Sequence, residues 1–344
     1  MNSFTEKTFE FTSSNRVPVD PSFFERLIRF YSEQPVSEVS CIWEGLKVFH
    51  APVMNALLDR DPESLCMELE NLYDSTVLSG LDWHLRIAEP DLEEKRQERF
   101  RLHAFAAAEC LGAVRVCNPE QPTPQQLAIE DVLTRIEGAL HCRLTHPGGG
   151  KMIGTRIGDR FVTLKMLDSA LTIASLMRLP CWPPSRILEI GAGCGILCYL
   201  LHQVPTVRVL RYDIIDLPII AVFQAYLLAC GGLEHLLWLS GEKRKGEQTI
   251  SIHGLNVPSL IYSDLIINQD SLPEIPVEVA HSYLTMAFGG LSNGGAFYSV
   301  NHESSSGGQT PMRELMREYP DMRPRYRSPY WGRDGYLEEV WERR

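Results

Sequence analysis

What this chain of 344 residues lacks narrows its class first. Its nine cysteines are odd in number and scattered, with no C-x-x-C pair and no Cys/His cluster at zinc spacing. A disulfide framework and a zinc module both fall away, and most of the thiols sit in apolar runs, as reduced cysteines do. Basic charge is also short: 33 Lys+Arg stand against 44 Asp+Glu, a net charge of −11. Such a chain has no general attraction for phosphate backbones or anionic lipid, so neither nucleic acid nor membrane is expected as a partner. The densest basic run, Lys95 to Arg101, is interleaved with glutamates and reads as a solvated helix face. No basic stretch followed by an apolar core opens the chain, so no secretory signal is read. No uncharged apolar run reaches the roughly 18 residues that span a bilayer. A soluble, cytoplasmic protein is the expectation.

Two regions differ in periodicity. Up to about residue 150 the pattern is helical. Phe23, Leu27, Ile28 and Tyr31 recur at spacings of three and four, as do Leu57, Leu65, Leu69 and Leu72. Helices are expected over Asp91–Ala113 and Leu127–Leu140, separated by a proline-rich breaker at 118–126. The turn Gly148-Gly-Gly-Lys151 lacks the spacing of a P-loop and reads as a linker or a lid. From 151 to 344 strands alternate with helices. Strands are expected at Arg186–Ile190, Val207–Ile215, Asp264–Asn268 and Gly295–Val300, with one or two more between 236 and 255. Helices are expected at Thr163–Leu179, Ile196–Gln203, Pro218–Ala229, Val277–Leu291 and Met312–Tyr319. Arg323–Tyr330 and Gly335–Trp341 would form a terminal antiparallel pair. This alternation calls for an α/β fold with a mostly parallel sheet covered on both faces.

The chemistry-bearing stretch is Glu189-Ile-Gly191-Ala192-Gly193-Cys194-Gly195, at the end of an apolar strand. Its glycines permit a tight turn that brings backbone amides against a ligand. The G-x-G-x-x-G register of a dinucleotide fingerprint fails, because the sixth position is Ile196 or Cys198; this disfavours a nicotinamide oxidoreductase. The next strand should end in a carboxylate able to hold two ribose hydroxyls. Asp216 closes the apolar run ahead of Leu217-Pro218 and is preferred, with Asp213 as the fallback.

The E-x-G-x-G-x-G turn resembles the first motif of class I S-adenosylmethionine-dependent methyltransferases. The likeness sharpens at Asp216-Leu-Pro, at Asn268-Gln-Asp-Ser271-Leu-Pro-Glu274, at Asn301-His302-Glu303 and at Gly335-Tyr336-Leu-Glu338-Glu339. Together these resemble the sugar O-methyltransferase group over about residues 150–344. Leu272, Ile275-Pro276 and Cys194 depart from that group's commoner residues, and the helical region offers no matching motif. The resemblance implies a Rossmann-like seven-stranded sheet and S-adenosylmethionine as cofactor. Its cofactor contacts would be Glu189, Gly191, Ala192, Gly193, Gly195, Asp216, Leu217, Asn268 and Gln269. The implied reaction is in-line methyl transfer to a hydroxyl of a sugar or glycosylated small molecule. The rivals are a non-sugar scaffold, methylated on oxygen or nitrogen, and a cofactor-binding relative without turnover.

A base for the acceptor proton should lie at the carboxyl ends of the central strands. His302 ranks first because imidazole titrates near neutral pH, and its bland alternative is a hydrogen bond to Glu303 or to backbone. Asp270 and Glu274 also qualify, whereas Asp264 opens its strand on the wrong side, and His146, His253 and His281 are weaker. No metal is assigned: Asp270, Glu274 and Glu303 could converge near Asp216, yet carboxylates at loop mouths are usually solvated. The helical region would cap the acceptor or make a homodimer contact.

Overall fold

Helix-start chemistry places the N-terminal elements. In the computed structural model, which describes residues 18–35, 45–72, 77, 81, 93–115, 127–147, 154–158, 160–303, 305 and 309–343, Asp20 caps helix α1 (Pro21–Ser32) by accepting from the Ser22 amide at 2.8 Å. Its buried face is Phe23, Phe24, Leu27, Ile28 and Phe30. Leu57 falls on one helix, Leu65 and Leu69 on the next, and Leu72 just beyond it. Helix α2 (Lys47–Asp59) stops at the left-handed Arg60, and Asp61 with Pro62 starts α3 (Pro62–Glu70). Two further helices follow, α4 (Glu93–Cys110) and α5 (Ile129–Leu140). The proline-rich breaker and the Gly148–Lys151 turn lie outside the described residues.

A hairpin that the sequence pattern does not announce, β1 (Gly154–Ile157) with β2 (Arg160–Thr163), leads into α6 (Leu164–Leu176). The main sheet then builds from β3 (Arg186–Ile190), β4 (Arg211–Ile215), β5 (Leu237–Leu239), β6 (Ile250–His253), β7 (Ser263–Gln269), β8 (Leu291–His302), β9 (Met322–Pro329) and β10 (Tyr336–Arg343). Helices α7 (Ile196–Leu201), α8 (Pro218–Leu228), α9 (Val277–Gly290) and the short α10 (Met312–Leu315) connect them. The order across the sheet is β5-β6-β4-β3-β7-β8-β10-β9. Strands β5 to β8 pair in parallel, and β10 runs antiparallel to both β8 and β9.

The doubly wound α/β fold is thus present, with one strand more than the resemblance implies. The extra strand, β5, is a three-residue edge segment paired to β6. Strand β4 begins at Arg211, not Val207, because its first ladder partner is Arg186, where β3 itself starts.

Period-two alternation splits the central strands between two cores. Leu265, Ile267, Ala296 and Tyr298 face one side, Ile266 and Phe297 the other. The N-terminal helices share the first of these cores, with Phe23, Leu57, Leu65 and Ile136 buried in the same cluster as β3 and α8. Helix α1 is also tied to the sheet edge. Arg26 pairs with both Glu242 oxygens at 2.8 and 3.0 Å, and Gln34 Oε1 accepts from the Leu255 amide at 3.0 Å. The helical stretch Pro218–Leu236 is long and apolar enough to cross a membrane by length and composition alone, but every residue from Ile219 to Leu228 is buried in the fold.

Candidate functional site

In an open parallel sheet the strand order reverses between the first strand and the one that returns beside it, and ligands bind outside the carboxyl ends there. Here that point lies between β3 and β7. A cavity opens there, walled by Glu189, Gly191, Ala192 and Gly193 after β3, by Asp216 and Leu217 after β4, and by Gln269, Asp270 and Ser271 after β7.

The three glycines have a common reason. Gly191, Gly193 and Gly195 all hold left-handed φ angles, of 73°, 56° and 74°, so the alternate spacing of the motif is the alternation of the turn itself. Gly191 also admits no side chain, since a Cβ there would fall 2.1 Å from Ser271 Oγ. Gly195 starts α7 and packs toward Leu228, behind the wall rather than on it.

Asp216 is the carboxylate that faces the cavity. It accepts from its neighbour's Leu217 amide at 2.8 Å and from Gln224 Nε2 at 2.6 Å, and the Ala192 and Gly193 amides also point at it. Burial outweighs these bonds and pushes its carboxyl up to about 7. Gln224 donates to Gly193 O as well, at 3.0 Å, and its own Oε1 is buried with no partner among the described residues. Glu189 lies deeper. Burial pushes it up to about 7 although it accepts from Tyr212 Oη at 2.7 Å. The fallback, Asp213, is fully buried away from the cavity. Burial opposes its charge, but hydrogen bonds from His253 Nε2 at 2.9 Å and Arg211 Nε at 2.6 Å hold its carboxyl below the usual range.

The residues after β7 and β8 form a connected polar floor. Asn268 is wholly buried. It donates to Ile190 O at 2.8 Å and accepts from Asn301 Nδ2 at 2.8 Å, so it supports the glycine turn and does not line the cavity. Ser271 Oγ donates to the same Ile190 carbonyl at 3.2 Å. Gln269 does line the cavity, and donates to Thr172 Oγ1 at 2.9 Å.

The three candidates for acid–base work come together: one ligand atom each of Asp270, Glu274 and His302 lie within 4.8 Å of one another. His302 Nε2 stands 3.9 Å from Glu274 Oε1. Glu303 has turned away to pair with Arg327 at 2.6 Å and Arg313 at 3.5 Å. Asp270 is the member of the trio on the cavity wall. It holds a left-handed φ of 55°, and its carboxylate is gripped by Arg333 and by Tyr336 Oη, the latter at 2.5 Å. The trio has the ligand types of a metal centre, but both Asp270 oxygens already serve the protein's own cation and hydroxyl.

Sequence reasoning did not single out Arg333, Lys165, Ser169 or Tyr283. The last three line the cavity from α6 and α9, and Arg333 reaches its wall through Asp270. Their signal is absent from any short motif because they come from helices and a turn far along the chain. The G-Y-x-E-E motif does have a structural meaning: Tyr336 holds Asp270, Glu338 accepts from Tyr298 Oη at 2.7 Å, and Glu339 meets Arg327 at 3.3 Å.

No protein-family model matches the chain, and no curated protein does. Among solved structures, it is similar to the pyocyanin biosynthetic protein PhzM, at 14% identity over 53% of this chain and 57% of that one, with a TM-score of 0.38. It is similar also to PigF with SAH, at 16% identity over 52% and 60%, TM-score 0.33. A third likeness is to an O-methyltransferase family 2 protein from Planctomyces limnophilus in complex with apigenin, at 13% identity over 72% and 96%, TM-score 0.36. The matches to the first two span under two thirds of those proteins' own lengths. At such identities and scores, what the site does has to be argued from its own geometry.

Proposed function

We propose that this chain is an S-adenosylmethionine-dependent O-methyltransferase that acts on a hydroxyl of a sugar or glycosylated small molecule. The observation that carries the reading is Asp216, a carboxylate on a cavity wall whose hydrogen-bond donors are all neutral. A carboxylate at the end of the strand beside the glycine turn, uncompensated by any cation among its donors, is the acceptor pair that two ribose hydroxyls call for. The other walls fit the rest of such a cofactor. Leu217, Leu255, Ile275, Val279 and Tyr283 supply an apolar slot for a flat base, and the glycine turn bares backbone toward the opposite end.

When bound, the cofactor supplies an electrophilic methyl group and departs as a neutral thioether. The chain's own task is to align the acceptor and take its proton. His302 Nε2 accepts that proton as the hydroxyl oxygen bonds to the methyl carbon and the carbon–sulfur bond breaks. Glu274 Oε1 stands 3.9 Å from that nitrogen. A polyhydroxylated acceptor is favoured by the polar rim: Gln269 and Arg333 carry hydrogen-bonding groups there, and Trp331, 78% exposed on the same turn as Arg333, offers a face for stacking.

Calorimetric titration with S-adenosylhomocysteine, against NADH as control, tests the cofactor, and a methyl-transfer assay over a panel of glycosides tests the acceptor. We expect micromolar binding of the sulfur ligand and none of NADH. His302→Ala should lose about 10²–10⁴-fold in turnover with cofactor affinity unchanged. Absence of S-adenosylhomocysteine binding would overturn the cofactor reading, and full turnover by His302→Ala would remove the base.

A further inference from the structure

Among the described residues, the cavity walls carry three carboxylates, Glu189, Asp216 and Asp270, but one cation, Lys165. Lys165 lies in the first turn of α6, where the helix already presents its positive end and where a basic side chain is disfavoured unless an anion sits nearby. The Thr163 side chain caps the Met166 amide at 3.4 Å, and the amides of Leu164 and Lys165 itself have no partner within the helix. Lys165 makes no ion pair or side-chain hydrogen bond among the described residues. It is near enough to Glu189 to pull that carboxyl downward, and the two line the same cavity as the glycine turn.

A wall cation with no hydrogen-bonded anion among the described residues calls for a ligand anion, and S-adenosylmethionine carries one, the carboxylate of its amino-acid end. We propose that Lys165 is the residue that binds this carboxylate, with Ser169, one helical turn further along α6 and also on the wall, as the neighbouring hydroxyl donor. Glu189 and the turn carbonyls are then left to the ammonium group of the same amino-acid end. Two charges of opposite sign on the ligand thus meet two of opposite sign on the chain. The inference rests on the cofactor reading above and adds to it the group that fixes which way round the ligand lies.

The test compares two ligands on the same variants: S-adenosylhomocysteine and its decarboxylated analogue, which keeps the adenosine, the thioether and the amine. For Lys165→Met, S-adenosylhomocysteine affinity should fall at least about tenfold while the decarboxylated analogue changes less than about twofold. Lys165→Arg should restore most of the loss. Equal losses for both ligands would assign Lys165 to the general shape of the cavity and overturn the inference alone, as would unchanged binding of S-adenosylhomocysteine. Failure of the wild-type protein to bind either ligand would remove the cofactor reading and this inference with it. Thermal melts of the two variants separate loss of fold from loss of affinity.

Discussion

The two sides of the cleft treat their carboxylates in opposite ways. After β3 and β4, Glu189 and Asp216 are enclosed with neutral donors only, and burial lifts both toward neutrality. After β7 and β8, Asp270 is closed by Arg333 and Tyr336, Glu274 stands beside His302, and Asn268, Ser271 and Asn301 satisfy one another. One side is unfinished and the other is a completed network. A buried carboxylate left with neutral donors is costly in the free protein, and that cost is recovered only when a ligand brings hydroxyls or a cation. The unfinished side is therefore where the cofactor reading belongs, and the finished side is a frame that holds the acceptor groups in place.

The sharpest way to break this contrast uses two aspartates three residues apart. Asp216→Ala should weaken S-adenosylhomocysteine binding by about 100-fold, since it removes a charged acceptor from a ligand's hydroxyls. Its effect on stability should be small or favourable, because a buried charge is removed. Asp213→Asn should do the reverse. It strands Arg211 and His253 and costs about 3 kcal/mol of stability, with binding altered only a few-fold. Calorimetry and denaturant unfolding on the two variants check both halves. Asp216 also predicts a pH dependence. Binding through Asp216 needs the carboxylate, so affinity should fall as pH drops through about 7.

Much of this arrangement was legible in the residues. The strand ending at Ile190, the glycine turn and the carboxylate after β4 follow from an apolar run, a φ requirement and a chain exit, all local in sequence. Preferring Asp216 to Asp213 was also a local judgement, since one closes the strand and the other lies within it. What escaped was everything that depends on helices meeting strands at a distance. Arg333 finds Asp270 across 63 residues, and His302 finds Glu274 rather than its neighbour Glu303, which two arginines draw aside. The β1–β2 hairpin escaped because its four-residue strands carry only a short alternation. The family resemblance makes Asn268 a contact to the cofactor, a role that no local pattern decides. Its amide instead holds the carbonyl that begins the glycine turn.

A second measurement sharpens the claim that the β3 side is unfinished. Glu189 titrates near 7 in the folded chain against an ordinary value of 4.5, so the folded state favours its protonated form. The stability this gives is complete below about pH 4.5 and is lost as pH rises through about 7. Glu189→Gln keeps an oxygen for Tyr212 and removes the titration. The variant should be more stable than wild type by roughly 3 kcal/mol at pH 8 and equal to it near pH 4, read from urea midpoints at the two pH values. A constant difference at both would mean that Glu189 has a partner for its charge, and the contrast between the two sides would weaken.

The smallest expected effect probes the finished side. Tyr336→Phe deletes the hydroxyl that donates to Asp270 Oδ1 and leaves the ring against His302, whose centroid lies 5.7 Å away. Asp270 keeps Arg333, and it stands on the cavity wall, where water can replace the lost donor. The stability cost should therefore stay near 1 kcal/mol, below the usual cost of stranding a buried charge. Asp270 holds a left-handed backbone that its side-chain partners help to fix, so losing one of two anchors loosens a wall of the acceptor end and spares the cofactor end. We expect turnover to drop by up to about tenfold with S-adenosylhomocysteine affinity unchanged. A comparable loss of cofactor affinity would show that the two sides are one unit, and the division drawn between them would fail.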